Sequence, residues 1–123
     1  MILITGGTAQ GKTAFAKGIC KKIADGRSID TVSSLSGYDC IDDCHELIRR
    51  LTDNGQDAYA FFEKAADEYP DMVFVIAEIG CGILPLDRKE REYRELTGRI
   101  GCMLARRCDE VYRLICGIPQ RIK

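Results

Sequence analysis

No apolar run in this chain approaches the ~20 residues that a bilayer-crossing helix needs. Charge of one sign is equally scarce: eighteen basic residues against nineteen acidic ones leave a net charge of −1 over 123 residues. So balanced a chain sets up no long-range field toward nucleic acid or a membrane surface. The apolar residues at the N-terminus have no basic flank and no cleavage site, and they read as a strand instead of a leader. Repeats, low-complexity stretches and linker-like runs are missing too, so one core and one domain, residues 1–123, are expected. The seven cysteines are odd in number and include no C-x-x-C pair. Cys40 and Cys44 would fall on a strand end and a first helical turn, a poor start for a zinc site. Free thiols in a reducing, cytoplasmic setting are what this cysteine usage predicts. Histidine occurs once, at His45.

What the chain does have is a glycine-rich opening. Ile2 to Ile4 reads as a buried strand, and Ala14 to Ile23 follows as a helix. Between them Gly6, Gly7, Thr8, Ala9, Gln10, Gly11, Lys12 and Thr13 fit G-x-x-x-x-G-K-[ST], the phosphate-binding loop in its required strand–loop–helix context. Gly6, Gly7 and Gly11 are expected to take φ values closed to other residues, so that successive N–H groups converge on one anion. The positive end of the following helix would point at the same place. Lys12 would bring a fixed charge to the terminal phosphates, and the Thr13 hydroxyl can hold Mg²⁺. The pattern predicts a bound nucleoside triphosphate, ATP or GTP, with Mg²⁺.

Downstream, Ile29, Thr31 and Val32 hint at a strand before Ser33 to Gly37 turns loop-like. Tyr38 to Ile41 reads as a short strand running into Asp42 and Asp43. Cys44, Leu47, Ile48 and Leu51 fall at i, i+3, i+4 and i+7, an amphipathic helix with Asp42 or Asp43 as its N-cap and Asn54 and Gly55 as its stop. A helix over Ala58 to Tyr69 would bury Phe61, Phe62, Ala65 and Ala66. Met72 to Ala77, apolar on both faces, reads as a central parallel strand. After a turn from Glu78 to Pro85 comes a charged helix, Asp87 to Arg107, with Tyr93, Leu96, Ile100 and Leu104 on its inner face. Glu110 to Cys116 reads as a last strand, ended by Gly117, Ile118 and Pro119. The alternation predicts an α/β fold, a P-loop NTPase-like three-layer domain with a mostly parallel sheet.

Ligands of such sheets bind beyond the carboxyl ends of the strands. That edge would collect the loop at residues 6–13, the acids at Asp42 and Asp43, and Glu78. With Lys12, two carboxylates make a catalytic set: Asp42, together with Thr13, on the metal side, and Glu78 to orient an attacking hydroxyl. A helix cap is the plain alternative for Asp42, and a solvated loop carboxylate for Glu78. Gly80 and Gly82 flank Cys81 and would let that loop close over a phosphate or acceptor. Arg88 and Arg91 lie near the loop mouth and could steady phosphoryl charge; with Glu90, Glu92 and Glu95 around them, a salt-bridged solvent face is the alternative.

The second half carries a likeness. Glu78 to Pro85, then Arg88, Tyr93, Arg94, Gly98 and Arg99, then Asp109 to Tyr112, Gly117, Ile118, Ile122 and Lys123 resemble the adenosylcobinamide kinase/adenosylcobinamide-phosphate guanylyltransferase family. That family's pattern there is N-E-V-G-x-G-I-V-P, F-R-x-x-x-G-R, D-E-V and G-I-x-x-x-I-K. Thr5 to Thr13 is similar to its T-G-G-x-x-S-G-K-S loop, and Cys40, Ile41 and Asp42 to its strand ending on an acid. The resemblance implies a corrinoid alcohol as acceptor and a kinase using ATP or GTP. Family members are longer between the first helix and the strand at Tyr38, where they carry the histidine that accepts the guanylyl group. Here only His45 stands, beyond that strand, which implies kinase chemistry without guanylyl transfer, or a nucleotide-binding module related to the corrinoid enzyme. Ala77 replaces the family's asparagine, and Gly101 and Cys102 replace an Asn-Gln pair. An exposed final helix on so small a unit leaves room for a homo-oligomer.

Overall fold

The short apolar runs pair side by side and parallel, because most are followed by a helix that returns the chain to the same edge. The computed structural model describes residues 1–79 and 87–123. Within them lie β1 (Ile2–Gly6), α1 (Lys12–Ile19), β2 (Ile23–Asp25), β3 (Cys40–Asp42), α2 (Cys44–Asp53), α3 (Ala58–Glu68), β4 (Val73–Ala77), α4 (Arg88–Arg107), β5 (Glu110–Ile115) and β6 (Ile118–Arg121). They form a six-stranded sheet in the order β2-β3-β4-β1-β5-β6. All pairings are parallel except that of β6, which runs back beside β5.

β4 lies between β3 and β1 and is buried along its whole length, which is why its sequence shows no polar alternation. Side chains sort by strand period onto two faces. Leu3, Ile41, Phe74, Ile76 and Val111 join a large core with α2, α3 and α4. Ile4, Cys40, Val73, Val75 and Leu114 face the other way, onto Ala16 and Phe15 of α1. Helices on both faces of a mostly parallel sheet make this a P-loop NTPase-like α/β fold. The stripe expected on α2 is fully inward: Cys44, Leu47, Ile48 and Leu51 are all buried. Tyr93, Ile100 and Leu104 of α4 are buried, with Leu96 partly covered. Asp57 and Asp87 cap α3 and α4 through bonds from the Ala60 and Lys89 N–H groups.

Several local expectations are corrected. The first helix does not reach Ile23; it stops at Ile19, and Ile23 opens β2 opposite Cys40. The cause is tertiary: the Asp39 carboxylate accepts from the N–H groups of Lys21 (3.0 Å) and Lys22 (2.9 Å) and draws the chain into an extended path. Ala16 is the buried position of this helix, while Ile19 is 49% exposed. Ile29, Thr31 and Val32 form no strand; Val32–Leu35 is a 3-10 turn whose N-cap, Thr31, shares a capping box with Ser34. Gly117, Ile118 and Pro119 do not end the sheet. Cys116 (φ 51) and Gly117 (φ 77) make a tight reversal, and the chain returns as β6. Asp43 occupies the N-cap of α2 with φ 52 and no side-chain cap bond. The reading of Gly80, Cys81 and Gly82 lies outside the described residues.

Candidate nucleotide-binding site

β1 delivers the loop to the carboxyl edge of the sheet. Gly6 can be nothing larger, since a Cβ there would sit 2.7 Å from the Leu114 carbonyl oxygen of β5. Gly11 holds φ +93 and opens α1 without a side-chain cap bond, so the first helical N–H groups are left for a ligand. Gly7 differs from expectation. The further left-handed residue of the loop is Ala9 (φ 58), while a Cβ on Gly7 would only touch Gln10 Cγ at 3.6 Å. Gln10 fastens the loop to the β5–β6 turn: its Oε1 accepts from the Cys116 N–H at 2.6 Å, and its carbonyl from the Gly117 N–H at 2.9 Å. The Lys12 ammonium donates to the Gly7 carbonyl at 2.6 Å. Burial lowers the Lys12 pKa, against the opposing pull of Asp42, Asp43 and Glu78.

Facing the loop is a wall made of side chains. The Thr13 hydroxyl donates to Asp42 Oδ2 at 2.8 Å, and Asp42 Oδ1 accepts from the Asp43 N–H at 2.8 Å. Arg27 Nη2 donates to Asp43 Oδ2 at 2.9 Å. Residues 8–14, with Asp43, His45 and Ala77, enclose a cavity of about 400 Å³, a ligand-sized space. Among the described residues, no group of three or more His, Cys, Asp or Glu is arranged to hold a metal ion. The hydroxyl–carboxylate pair of Thr13 and Asp42 is a different arrangement: two oxygen donors of the kind Mg²⁺ uses when phosphates and water fill its remaining positions.

The fold therefore brings Gly6, Gly7, Thr8, Ala9, Gln10, Gly11, Lys12, Thr13 and Asp42 to one place. Glu78 stands at the end of β4, its N–H bonded to the Gly6 carbonyl at 2.8 Å. Both its carboxylate oxygens accept from Arg113 of β5, from Nε at 2.8 Å and Nη2 at 3.1 Å. Arg88 is 86% exposed and pairs with Glu92 on the first turns of α4. Arg91 is exposed on the same helix, and neither arginine is among the described residues lining the cavity. Asp43 was expected at this edge; Arg27, His45, Ala77 and Arg113 were not. The signal that points to Ala77 is its place at the carboxyl end of a buried strand; the others are gathered by strand register.

A family model described as cobinamide kinase / cobinamide phosphate guanyltransferase matches residues 29–122, beginning after the phosphate loop. Among curated proteins, the bifunctional adenosylcobalamin biosynthesis protein CobU of Salmonella typhimurium is 40% identical over 52 residues, which cover 42% of this chain and 29% of that protein. The protein of the same description from Escherichia coli is 38% identical over 52 residues, again 42% of this chain and 29% of the relative. The matched stretch thus spans under a third of the length of these curated relatives. The chain belongs to the cobinamide kinase / cobinamide phosphate guanyltransferase family.

Proposed function

We propose that this family member binds a Mg²⁺–nucleoside triphosphate, ATP or GTP, against residues 6–13 and passes its terminal phosphoryl group to a hydroxyl of a cobinamide-like corrinoid. Residues 1–123 would act as a single P-loop unit. The observation that carries this reading is the 2.8 Å contact between the Thr13 hydroxyl and Asp42, beside Lys12. These are the residues that would hold Mg²⁺, which would neutralise charge on the phosphates. The loop N–H groups and the α1 N-terminus take phosphate oxygens. Lys12 exchanges the Gly7 carbonyl for a terminal phosphate. Glu78 orients the acceptor hydroxyl once it is freed from Arg113. Arg88 and Arg91 have a part only if the start of α4 moves over the mouth.

Guanylyl transfer through a histidine is not part of this proposal. His45 is the single histidine, and its Nδ1 accepts from the Ala77 N–H at 3.4 Å. The neutral ring then carries its proton on Nε2 and has no free lone pair to attack a phosphate. A second reading, a nucleotide-binding module without turnover, is favoured by one observation: Arg113 holds both oxygens of Glu78.

Single-turnover transfer from γ-labelled ATP or GTP to cobinamide tests the kinase. Labelled cobinamide phosphate is expected; bound nucleotide with no transfer leaves the binding module. α-Labelled GTP should leave the denatured protein unlabelled. An acid-labile adduct that disappears in His45→Ala would restore the bifunctional activity.

A further inference from the structure

His45 is the second residue of α2, where the helix meets the cavity. Its backbone is fixed, since the Tyr93 hydroxyl donates to its carbonyl at 2.8 Å. Its ring is only 18% exposed. With Nδ1 accepting from the Ala77 N–H, the ring presents an Nε2–H donor. The nearest carboxylate oxygens, Asp43 Oδ1 at 3.9 Å and Glu46 Oε1 at 3.8 Å, are beyond hydrogen-bond reach. Among the described residues nothing accepts from Nε2.

We infer that His45 contacts the bound ligand directly, donating Nε2–H to an oxygen of the nucleotide's phosphate chain from the wall opposite the loop. The chemistry of the cavity selects this partner. Loop N–H groups, the α1 N-terminus and Lys12 all offer donors, and a phosphate is the acceptor-only group that satisfies donors from both walls at once. Asp43 and Glu46 lie close enough to polarise the imidazole N–H without taking it. Arg27, bonded to Asp43 at 2.9 Å, offsets the repulsion that carboxylate would exert on an incoming anion. Burial lowers the pKa of the ring and so favours the neutral form that carries this donor. A neutral donor in that position stabilises phosphoryl charge as it develops.

This inference rests on the nucleotide reading of the cavity, and the sole histidine separates the two. In uniformly ¹⁵N-labelled protein, only one histidine imidazole resonates. Before ligand, Nδ1 should show the shift of an unprotonated nitrogen. Mg²⁺ with inorganic tripolyphosphate, with ATP and with GTP should each move the Nε2 signal. In calorimetry His45→Ala should weaken Mg-ATP binding by about tenfold or more, the scale of one lost hydrogen bond to a charged group. His45→Gln, which keeps an N–H at a similar reach, should recover part of that loss. An imidazole signal that stays fixed at saturation, while amides of residues 6–13 shift, overturns the inference and leaves the nucleotide site intact. A shift with ATP or GTP but not with tripolyphosphate places the ring against ribose or base, and overturns it too. Equal losses in His45→Ala and His45→Gln would make the residue merely structural. If no resonance moves with any of the three, the nucleotide reading itself fails, and the inference with it.

Discussion

Residues 6–13 hold their shape through the backbone, whereas the wall facing them is made of side chains carried there by separate strands. On the loop side, Gly6 is locked against Leu114, Gly11 turns through φ +93, and Gln10 is tied to Cys116 and Gly117. On the other side, Asp42 ends β3, Asp43 and His45 open α2, and Ala77 ends β4. The difference teaches where each function resides. Backbone N–H groups recognise a phosphate whatever it is attached to. Side chains at the ends of separate strands decide what happens to it, because their charge and protonation can be matched to a transition state.

The sharpest way to break this division is to strip charge from the side-chain wall. Asp42→Asn and Glu78→Gln keep shape, so turnover should fall by ~10²-fold or more while nucleotide affinity falls only modestly. Glu78→Gln should be the purer rate effect. Quenched-flow transfer to cobinamide measures both; a normal rate in Glu78→Gln would mean that its bond to Arg113 is its whole role.

Affinity should answer to the other wall. Lys12→Ala should weaken Mg-nucleotide binding by roughly 10- to 100-fold, the scale of lost hydrogen bonds to a charged group, with an unchanged thermal unfolding midpoint. An altered midpoint would place Lys12 in the fold instead of the site. Gln10→Ala should cost less, roughly two- to tenfold in affinity, the scale of a neutral hydrogen bond. The carbonyl of residue 10 would still hold Gly117. Turnover at saturating nucleotide should be untouched if the loop only binds.

The smallest effect lies outside both walls. Bonds from the Lys21 and then the Lys22 N–H hold the Asp39 carboxyl below the usual carboxylate range. A folded-state pKa lowered in this way contributes stability that is present above the unfolded carboxylate pKa and is lost as pH falls through the folded value. Asp39→Asn should therefore flatten the acid limb of stability, below about pH 4, without changing nucleotide affinity. Denaturant titrations across that range would show it.

The same contrast explains what the sequence made legible. The loop is local, eight consecutive residues in a strand–loop–helix context, so its chemistry is readable without tertiary information. The α2 stripe and the fully apolar β4 were equally plain, because a 3.6-residue period and an unbroken apolar run need only their own segments. β2 was hidden because three residues follow a helix too closely, and only Asp39, far along the chain, tells them to extend. β6 was hidden by a reversal in which Cys116, a non-glycine residue, takes positive φ. His45 stands out in the sequence only as the single histidine, beyond the strand at Tyr38. Its place in the cavity follows from parallel registers, Cys40 against Val73 and Gly6 against Ala77, that set the start of α2 beside the loop.

The central claim is that this cavity is a Mg²⁺–triphosphate site, and titration calorimetry of the wild-type chain tests it most directly. Mg-ATP and Mg-GTP should be titrated with and without a chelator, and inorganic tripolyphosphate alongside. The account predicts saturable one-site binding of at least one nucleotide, weakened when the metal is removed and reproduced in part by tripolyphosphate. Absence of binding by all three at millimolar ligand would contradict it.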